Sequence, residues 1–322
     1  MSKIRVGVLR GGTSREYEKS LKSGANVLKN LPEKYVGYDI LITKDGTWHF
    51  QGLPIIPEKL FPRIDVIFNA LIVGNYSENA QVEHIFESHN IPYTGGDPLS
   101  SVLSRNKALT KRILEKHGIK TPHSIVMHKD EYNENRIMEI FRSFPMPAVV
   151  KPVSDSLSRG VSLANTLQEL KESLRYVFLH SPIALIEEYI KGKDAKCIVV
   201  ENFRGKKYYS FFPIEVRKSK GIEFINSEMR AEEILERASP GNFTKKEKEK
   251  MEKVSAQAHQ ILGIRHISKT DFVVHPRRGV YLLEIDPLQG FSENTSIAHS
   301  LSVVGAKMSD LIEHLIELAR KN

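Results

Sequence analysis

Four charged residues on one face of a β-ribbon near the C-terminus constrain this chain more than any other feature. In the stretch 269–286, KTDFVVHPRRGVYLLEID, two strand-like runs at 272–274 and 280–283 flank Pro276-Arg277-Arg278-Gly279, whose residue types make a turn. With those four residues as the loop, His275 faces Val280, and counting outward sets Asp271 opposite Glu284 and Lys269 opposite Asp286. Side chains alternate along a strand, so Lys269, Asp271, Glu284 and Asp286 share one face. Like charges placed directly opposite destabilise a sheet. A divalent cation such as Mg²⁺, ligated by carboxylate oxygens and shared with phosphate, removes that penalty. A solvent-facing strand face carrying ordinary charges has the same pattern, and this segment alone does not separate the two.

With 322 residues the chain is too long for one simple core and divides into two or three domains. Its 40% hydrophobic and 27% charged content is that of a soluble globular protein. No apolar run approaches bilayer length, and MSKIRVGVLRGG reads as a strand, not a signal peptide, so the expectation is a cytoplasmic protein without a membrane partner. The single cysteine, Cys197, excludes an internal disulfide and fits a reducing compartment. It lies in an apolar run, which favours a buried structural thiol over a nucleophile. The net charge of +8 invites a nucleic-acid reading, but the basic residues are interleaved with acids, as in TKKEKEKMEK at 244–253. No nucleic-acid-binding motif is present, and the same charge balance suits anionic small substrates such as nucleotides.

Strand-like runs at 3–9, 38–42, 66–71 and near 91–93 alternate with helical stretches at 18–31 and 80–89, which predicts an α/β unit with a Rossmann-like parallel sheet over 1–98. A second unit, 99–183, holds a helix at 101–117 closed by Gly118, strands at 124–127 and 148–151, and helices at 133–144 and 167–178. The third, 184–322, opens with strands at 184–187, 195–200 and 208–213. An irregular segment at 218–242, a long helix at 245–262, the charged ribbon and an amphipathic helix at 308–320 follow.

Three further elements carry chemistry. Gly11-Gly12-Thr13-Ser14 lies between a strand and a helix, where backbone N–H groups can hold an anion, and Glu16 follows where a carboxylate also simply complements the helix dipole. The strand AVVKP at 148–152 delivers Lys151 to a small-residue loop, VSDSLSRGVS, that can drape over phosphates while the lysine contacts their oxygens. Lys107 is a second lysine for phosphate on a helix, or else ordinary solvated surface. LIEEYI at 185–190 runs an apolar strand into paired acids and an aromatic. That arrangement suits an adenine-binding linker, with backbone groups reading the base, a carboxylate reading its amino group and Asp194 accepting from ribose hydroxyls.

Taken in order, these elements resemble the D-alanine–D-alanine ligase family of ATP-grasp enzymes. The resemblance covers nearly the whole chain and rests on GGTSREYEKSLKSG at 11–24, NIPYTGG at 90–96, the Lys107 helix, VVKP at 149–152, LIEEYI at 185–190 and YLLEID at 281–286. It implies an ATP-grasp fold behind the N-terminal Rossmann-like unit. ATP phosphates would meet Lys107, Lys151 and Ser158 of the phosphate loop. Adenine and ribose would meet Glu187, Glu188, Tyr189, Ile190 and Asp194. Asp271, Glu284 and Asp286 would hold Mg²⁺ or Mn²⁺.

Departures gather on the substrate side. The family's HGxxGEDG loop is Val73-Gly74-Asn75-Tyr76-Ser77-Glu78-Asn79-Ala80 here, without its histidine. The EGSS loop is Asp155-Ser156-Leu157-Ser158, and the mobile-loop lysine–tyrosine pair falls on Arg230 and Ala231. Of the family's glutamate–serine–tyrosine trio, Glu16 survives. Lys269 stands for an oxyanion-stabilising arginine and loses its bidentate fork. Asp286 stands for an asparagine, and Thr295 for a serine near the second substrate's carboxylate.

The resemblance implies an ATP-dependent carboxylate–amine ligase acting through an acyl phosphate, with D-alanyl-D-alanine as the default product, amino acids and ATP as small-molecule partners, and a homodimer through the N-terminal unit. The alternatives are a ligase for another amino acid or peptide, and a nucleotide-binding protein without ligase activity.

Overall fold

Consecutive apolar residues in IRVGVLRG make β1 (Ile4–Gly11) a strand buried on both sides, as the centre of a parallel sheet requires. The chain continues through α1 (Tyr17–Lys29), β2 (Tyr35–Ile42), β3 (Trp48–Phe50), β4 (Leu53–Pro54), α2 (Pro57–Leu60), β5 (Val66–Asn69) and α3 (Tyr76–Ser88). The sheet order is β4-β3-β2-β1-β5, with β1 parallel to β2 and β5. The predicted parallel sheet is present, but an antiparallel β3–β4 ribbon widens its edge. The strand expected near 91–93 is a single bridge from Tyr93 to Ile67. The computed structural model describes residues 3–72, 76–154, 160–217, 236–238, 240–287 and 290–321, with backbone alone at 76–79 and 236–237.

Next come α4 (Pro98–Arg105), α5 (Lys107–Lys116), β6 (Ser124–His128), α6 (Glu134–Ser143), β7 (Ala148–Pro152), β8 (Ser162–Ala164), α7 (Leu167–Phe178) and β9 (Ile183–Glu188). The strands form an antiparallel sheet of order β6-β9-β7-β8. The helix expected over 101–117 is two helices. Asn106 leaves helical geometry (ψ 93°) and its side chain accepts the Leu109 N–H at 3.0 Å, so it caps α5 instead of continuing α4.

The last part contains β10 (Lys193–Glu201), β11 (Tyr208–Ser210), β12 (Ile214–Arg217), β13 (Glu236–Ala238), α8 (Lys245–Ile261), β14 (Ile267–His275), β15 (Gly279–Asp286), α9 (Ser296–Val303) and α10 (Met308–Ala319). Its sheet runs β13-β12-β10-β14-β15, with β11 paired to β10.

The sheets follow sequence order, but the cores do not. Val6, Val8, Val66 and Phe68 of the first sheet pack against Leu311, Ile312, Leu315 and Ile316 of α10 and against Ile198 and Val200 of β10. Leu114 of α5 joins Phe272, Val274, Leu282 and Ile285 beneath the third sheet. Each such buried aliphatic side chain contributes about 1.5–3 kcal/mol. These shared cores fix α5 to the third sheet, whose other face is open.

Candidate active site

That open face is charged. Pairing across β10, β14 and β15 lines up Asp194, Val273 and Tyr281 in one row, Lys196, Asp271 and Glu284 in the next, and Ile198, Lys269 and Asp286 in a third. The facing of Asp271 to Glu284 and of Lys269 to Asp286 is the predicted one, but the turn that leads to it is not. His275 pairs with Gly279, so the loop is one residue shorter than expected, and a β-bulge between Phe272 and Asp271 restores the register. Leu283 is the additional residue. The imidazole Nδ1 of His275 accepts the N–H groups of Arg277 and Arg278 at 3.0 and 2.9 Å, which tightens the turn.

The three carboxylates of the second and third rows are each met by an ammonium. Lys196 Nζ lies 3.4 Å from Asp271 Oδ2, Lys107 Nζ 3.6 Å from Glu284 Oε2 and Lys269 Nζ 3.6 Å from Asp286 Oδ2. Lys107 arrives from the first position of α5, where its backbone N–H bonds to the Val153 carbonyl at 3.0 Å. One turn later on the same helix, Lys111 is buried in the protein. Its Nζ lies 2.7 Å from Glu187 Oε1, while Lys151 Nζ lies 2.5 Å from Glu187 Oε2. Burial alone would push the Glu187 carboxyl upward, but Lys111 and Lys151 hold it below its usual range. Two ammonium groups around one carboxylate leave a positive excess at Lys151, which suits an anion. Helix α5 therefore joins two charge clusters, one on each sheet.

The end of β9 forms the junction between those sheets. Glu188 accepts the His123 N–H at 3.1 Å and the Arg278 guanidinium at 2.9 Å, so the β14–β15 turn is tied to the strand. Ile190, Val273 and Tyr281 form a small apolar cluster there, and bulged Leu283 packs against it. Asp194 begins the row that contains Val273 and Tyr281. The backbone N–H groups of Glu188 and Tyr189 bond to the His123 and Pro147 carbonyls at 2.9 and 3.0 Å. An apolar wall beside lysines and carboxylates is a place where a nucleotide's base and phosphates both find partners.

A family model described as D-ala D-ala ligase C-terminus matches residues 113–317. The chain belongs to that family. It is 31% identical to a D-alanine–D-alanine ligase of Trichlorobacter lovleyi, over 97% of this chain and 93% of the relative. It is 28% identical to one from Pelotomaculum thermopropionicum, over 99% and 98%. Among solved structures, the VanG D-Ala:D-Ser ligase of Enterococcus faecalis superposes with a TM-score of 0.87 at 22% identity, covering 99% of this chain and all of that one, a likeness of fold. As a member of the D-alanine–D-alanine ligase family, the chain is an ATP-dependent ligase that forms C–N bonds.

Within this ligase, Glu187 does not have the surroundings expected of an adenine reader, because both its oxygens are taken by buried lysines. Its place is that of a lysine holder. Lys111 and Lys196 were not singled out from the sequence. The four-residue spacing of Lys107 and Lys111 and the alternation of Asp194 and Lys196 were the available signals. The Gly11-Gly12 loop is not an open anion cradle either. The Gly11 N–H bonds to Ser20 Oγ at 3.0 Å and that of Gly12 to the Ile42 carbonyl at 2.8 Å. Gly11 has φ +90°, and a Cβ there would meet the Ile42 oxygen at 2.1 Å, so the glycine serves packing.

Of the residues expected on the substrate side, Glu16 is paired with Lys19 at 2.7 Å. The Thr295 hydroxyl donates to the Ser292 carbonyl at 2.8 Å and caps α9. Gly290 lies against Ile72 and Thr295, which brings these loops together. Ser158 with the rest of 155–159, Asn75 with its neighbours 73–74, and Arg230 and Ala231 within 218–235 lie outside the described residues.

For a metal ion the donors fit in part. Among the described residues no three His, Cys, Asp or Glu side chains stand together as a ready metal site, so the expected trio of Asp271, Glu284 and Asp286 is not assembled. Each of the three instead faces a lysine, Asp271 with Lys196, Glu284 with Lys107 and Asp286 with Lys269. Asp271 and Glu284 do face each other, and Asp271 Oδ1 is buried without a hydrogen-bond partner among the described residues. Such hard oxygen donors suit Mg²⁺ completed by phosphate and water.

Proposed function

We propose that this ligase joins the carboxylate of one amino acid to the amine of a second, in the first instance two D-alanines for peptidoglycan precursor synthesis, with ATP consumed through an acyl phosphate. The observation that carries this reading is the helix α5, which presents Lys107 to Glu284 on one side and Lys111 to the Glu187–Lys151 pair on the other. Phosphate oxygens would meet Lys151 and Lys107, and the base would rest on Ile190 and Leu283. Asp271 and Glu284 would hold Mg²⁺, with Asp286 beside them balanced by Lys269; the ion would supply charge neutralisation on phosphate oxygens.

The first carboxylate attacks the γ-phosphorus and ADP leaves. The second amine then attacks the acyl carbon, loses a proton and expels phosphate. Lys269, once released from Asp286, would stabilise the oxyanion of that second step. Glu16 would hold the first substrate's ammonium and Thr295 would stand near the second's carboxylate. The reading places the protein in the cytoplasm, with a homodimer through the N-terminal unit as the assembly to test.

One observation favours a second reading, a ligase for a different first substrate. The carboxylate meant for that substrate's ammonium is already neutralised by Lys19 at 2.7 Å. Both readings are tested by ADP release with ATP, Mg²⁺ and a panel of single and paired D- and L-amino acids. Release with D-alanine alone is the expected result; selective release with another pair rejects the D-alanine assignment. Tight ATP binding with no release across the panel rejects ligation.

A further inference from the structure

Lys111 is a buried cation. It is 2% exposed, and its Nζ sits between two acceptors, Glu187 Oε1 at 2.7 Å and the Pro122 carbonyl at 3.5 Å. An ammonium is expensive to bury, and an ion pair that only joined helix to strand could be replaced by apolar packing at little or no cost. What distinguishes this pair is that Glu187 is shared. Its other oxygen holds Lys151 at 2.5 Å, and Lys151 lies on β7, just before the sequence expected to form the phosphate loop.

We propose that Lys111 is a positioning residue for the nucleotide site: by taking one oxygen of Glu187, it leaves Lys151 aimed by the other oxygen yet not neutralised by it. This rests on the reading that Lys151 meets nucleotide phosphate. Two positive groups and one negative give the cluster a net charge of +1. With an apolar side chain at 111, Lys151 and Glu187 become a neutral pair and the attraction for phosphate falls. Burial, with the neighbouring Lys151 ammonium, holds the Lys111 proton affinity below its ordinary value against the pull of Glu187, while the two facing acceptors at 2.7 and 3.5 Å pair with the ammonium form. Lys111 thus acts on the nucleotide through Glu187 and not by touching it. Because Lys107 lies one turn earlier on α5, the same helix sets both lysines.

Charge balance separates this role from a purely structural one. Binding of a non-hydrolysable ATP analogue with Mg²⁺ is measured by calorimetry on the full chain for Lys111→Met, for Lys111→Met with Glu187→Gln, and for Lys151→Ala. Lys111→Met is expected to weaken binding by at least about tenfold, the effect of one unit charge within several ångströms at protein-like dielectric. The double variant, again net +1, is expected to return to within about threefold of the parent. Parent-like binding by Lys111→Met overturns the proposal, as does a double variant no tighter than the single one. If Lys111→Met does not fold, the double variant decides alone: parent-like affinity supports the proposal, and affinity as weak as that of Lys151→Ala overturns it. Should Lys151→Ala itself bind like the parent, the phosphate reading fails first. A Lys151→Ala loss without a Lys111→Met loss removes only the role of Lys111.

Discussion

Lys151→Ala deletes the ammonium that Glu187 holds near the end of β7. The KM for ATP should rise by about tenfold or more, with thermal unfolding little changed because a neutralising Lys111 remains beside Glu187. An unaltered KM counts against the phosphate role. Glu284→Ala should remove Mg²⁺-stimulated ADP release while the circular-dichroism melt stays cooperative; release that persists counts against the cation role. Lys151 and the ribbon acids were legible in the sequence because charges at the ends of apolar strands need an explanation there, whereas Lys107, on a helix, rested on the family resemblance. Lys111 and Lys196 were not, because an isolated lysine is usually solvated, and only the tertiary partners, Glu187 and Asp271, show otherwise. The lysine-holding place of Glu187 was hidden for the same reason.

At the scale of elements, the sequence reading of the ribbon reached the facing of Asp271 and Glu284 through two offsetting differences. The turn closes one residue earlier than its Pro-Arg-Arg-Gly composition suggested, and the bulge at Leu283 absorbs the difference. A count along a strand has no term for a bulge, whose position here follows from packing Leu283 toward Ile190. The break between α4 and α5 was missed because the residues on either side are good helix formers. Only the Asn106 cap, with its bond to the Leu109 N–H, shows where the second helix begins. Asn106→Ala should cost about 1 kcal/mol in chemical denaturation and raise the KM for ATP, since it loosens the first turn that places Lys107. A stability loss without any change in KM would mean that the cap does not set the lysine.

For the whole molecule, the first unit is joined to the third by buried polar contacts. The Gly95 N–H donates to His266 Nδ1 at 3.0 Å, Asn26 Nδ2 donates to the Phe291 carbonyl at 2.6 Å, and the Phe291 N–H donates to Ser23 Oγ at 3.0 Å. No sequence pattern announces such joints, because each partner lies more than 170 residues from the other. Burial, helped by the Arg265 guanidinium and opposed by Glu201, holds the His266 imidazole down at about 4, below its ordinary 6.5. The neutral ring therefore stabilises the fold fully above pH 6.5, and that contribution, about 3 kcal/mol, is lost as pH falls from 6.5 to about 4. His266→Asn keeps an acceptor for Gly95 and tolerates φ +65°, so its denaturation midpoint should depend less on pH across that window; an equal slope contradicts the assignment. The account as a whole depends on Asp271 and Glu284 gripping nucleotide through a divalent ion. Its most direct test is calorimetric titration of a non-hydrolysable ATP analogue, with and without Mg²⁺, into the parent and into the Asp271→Asn, Glu284→Gln double variant. Mg²⁺ should tighten binding to the parent by about tenfold or more and leave the variant nearly unchanged; equal Mg²⁺ dependence in the two proteins would contradict it.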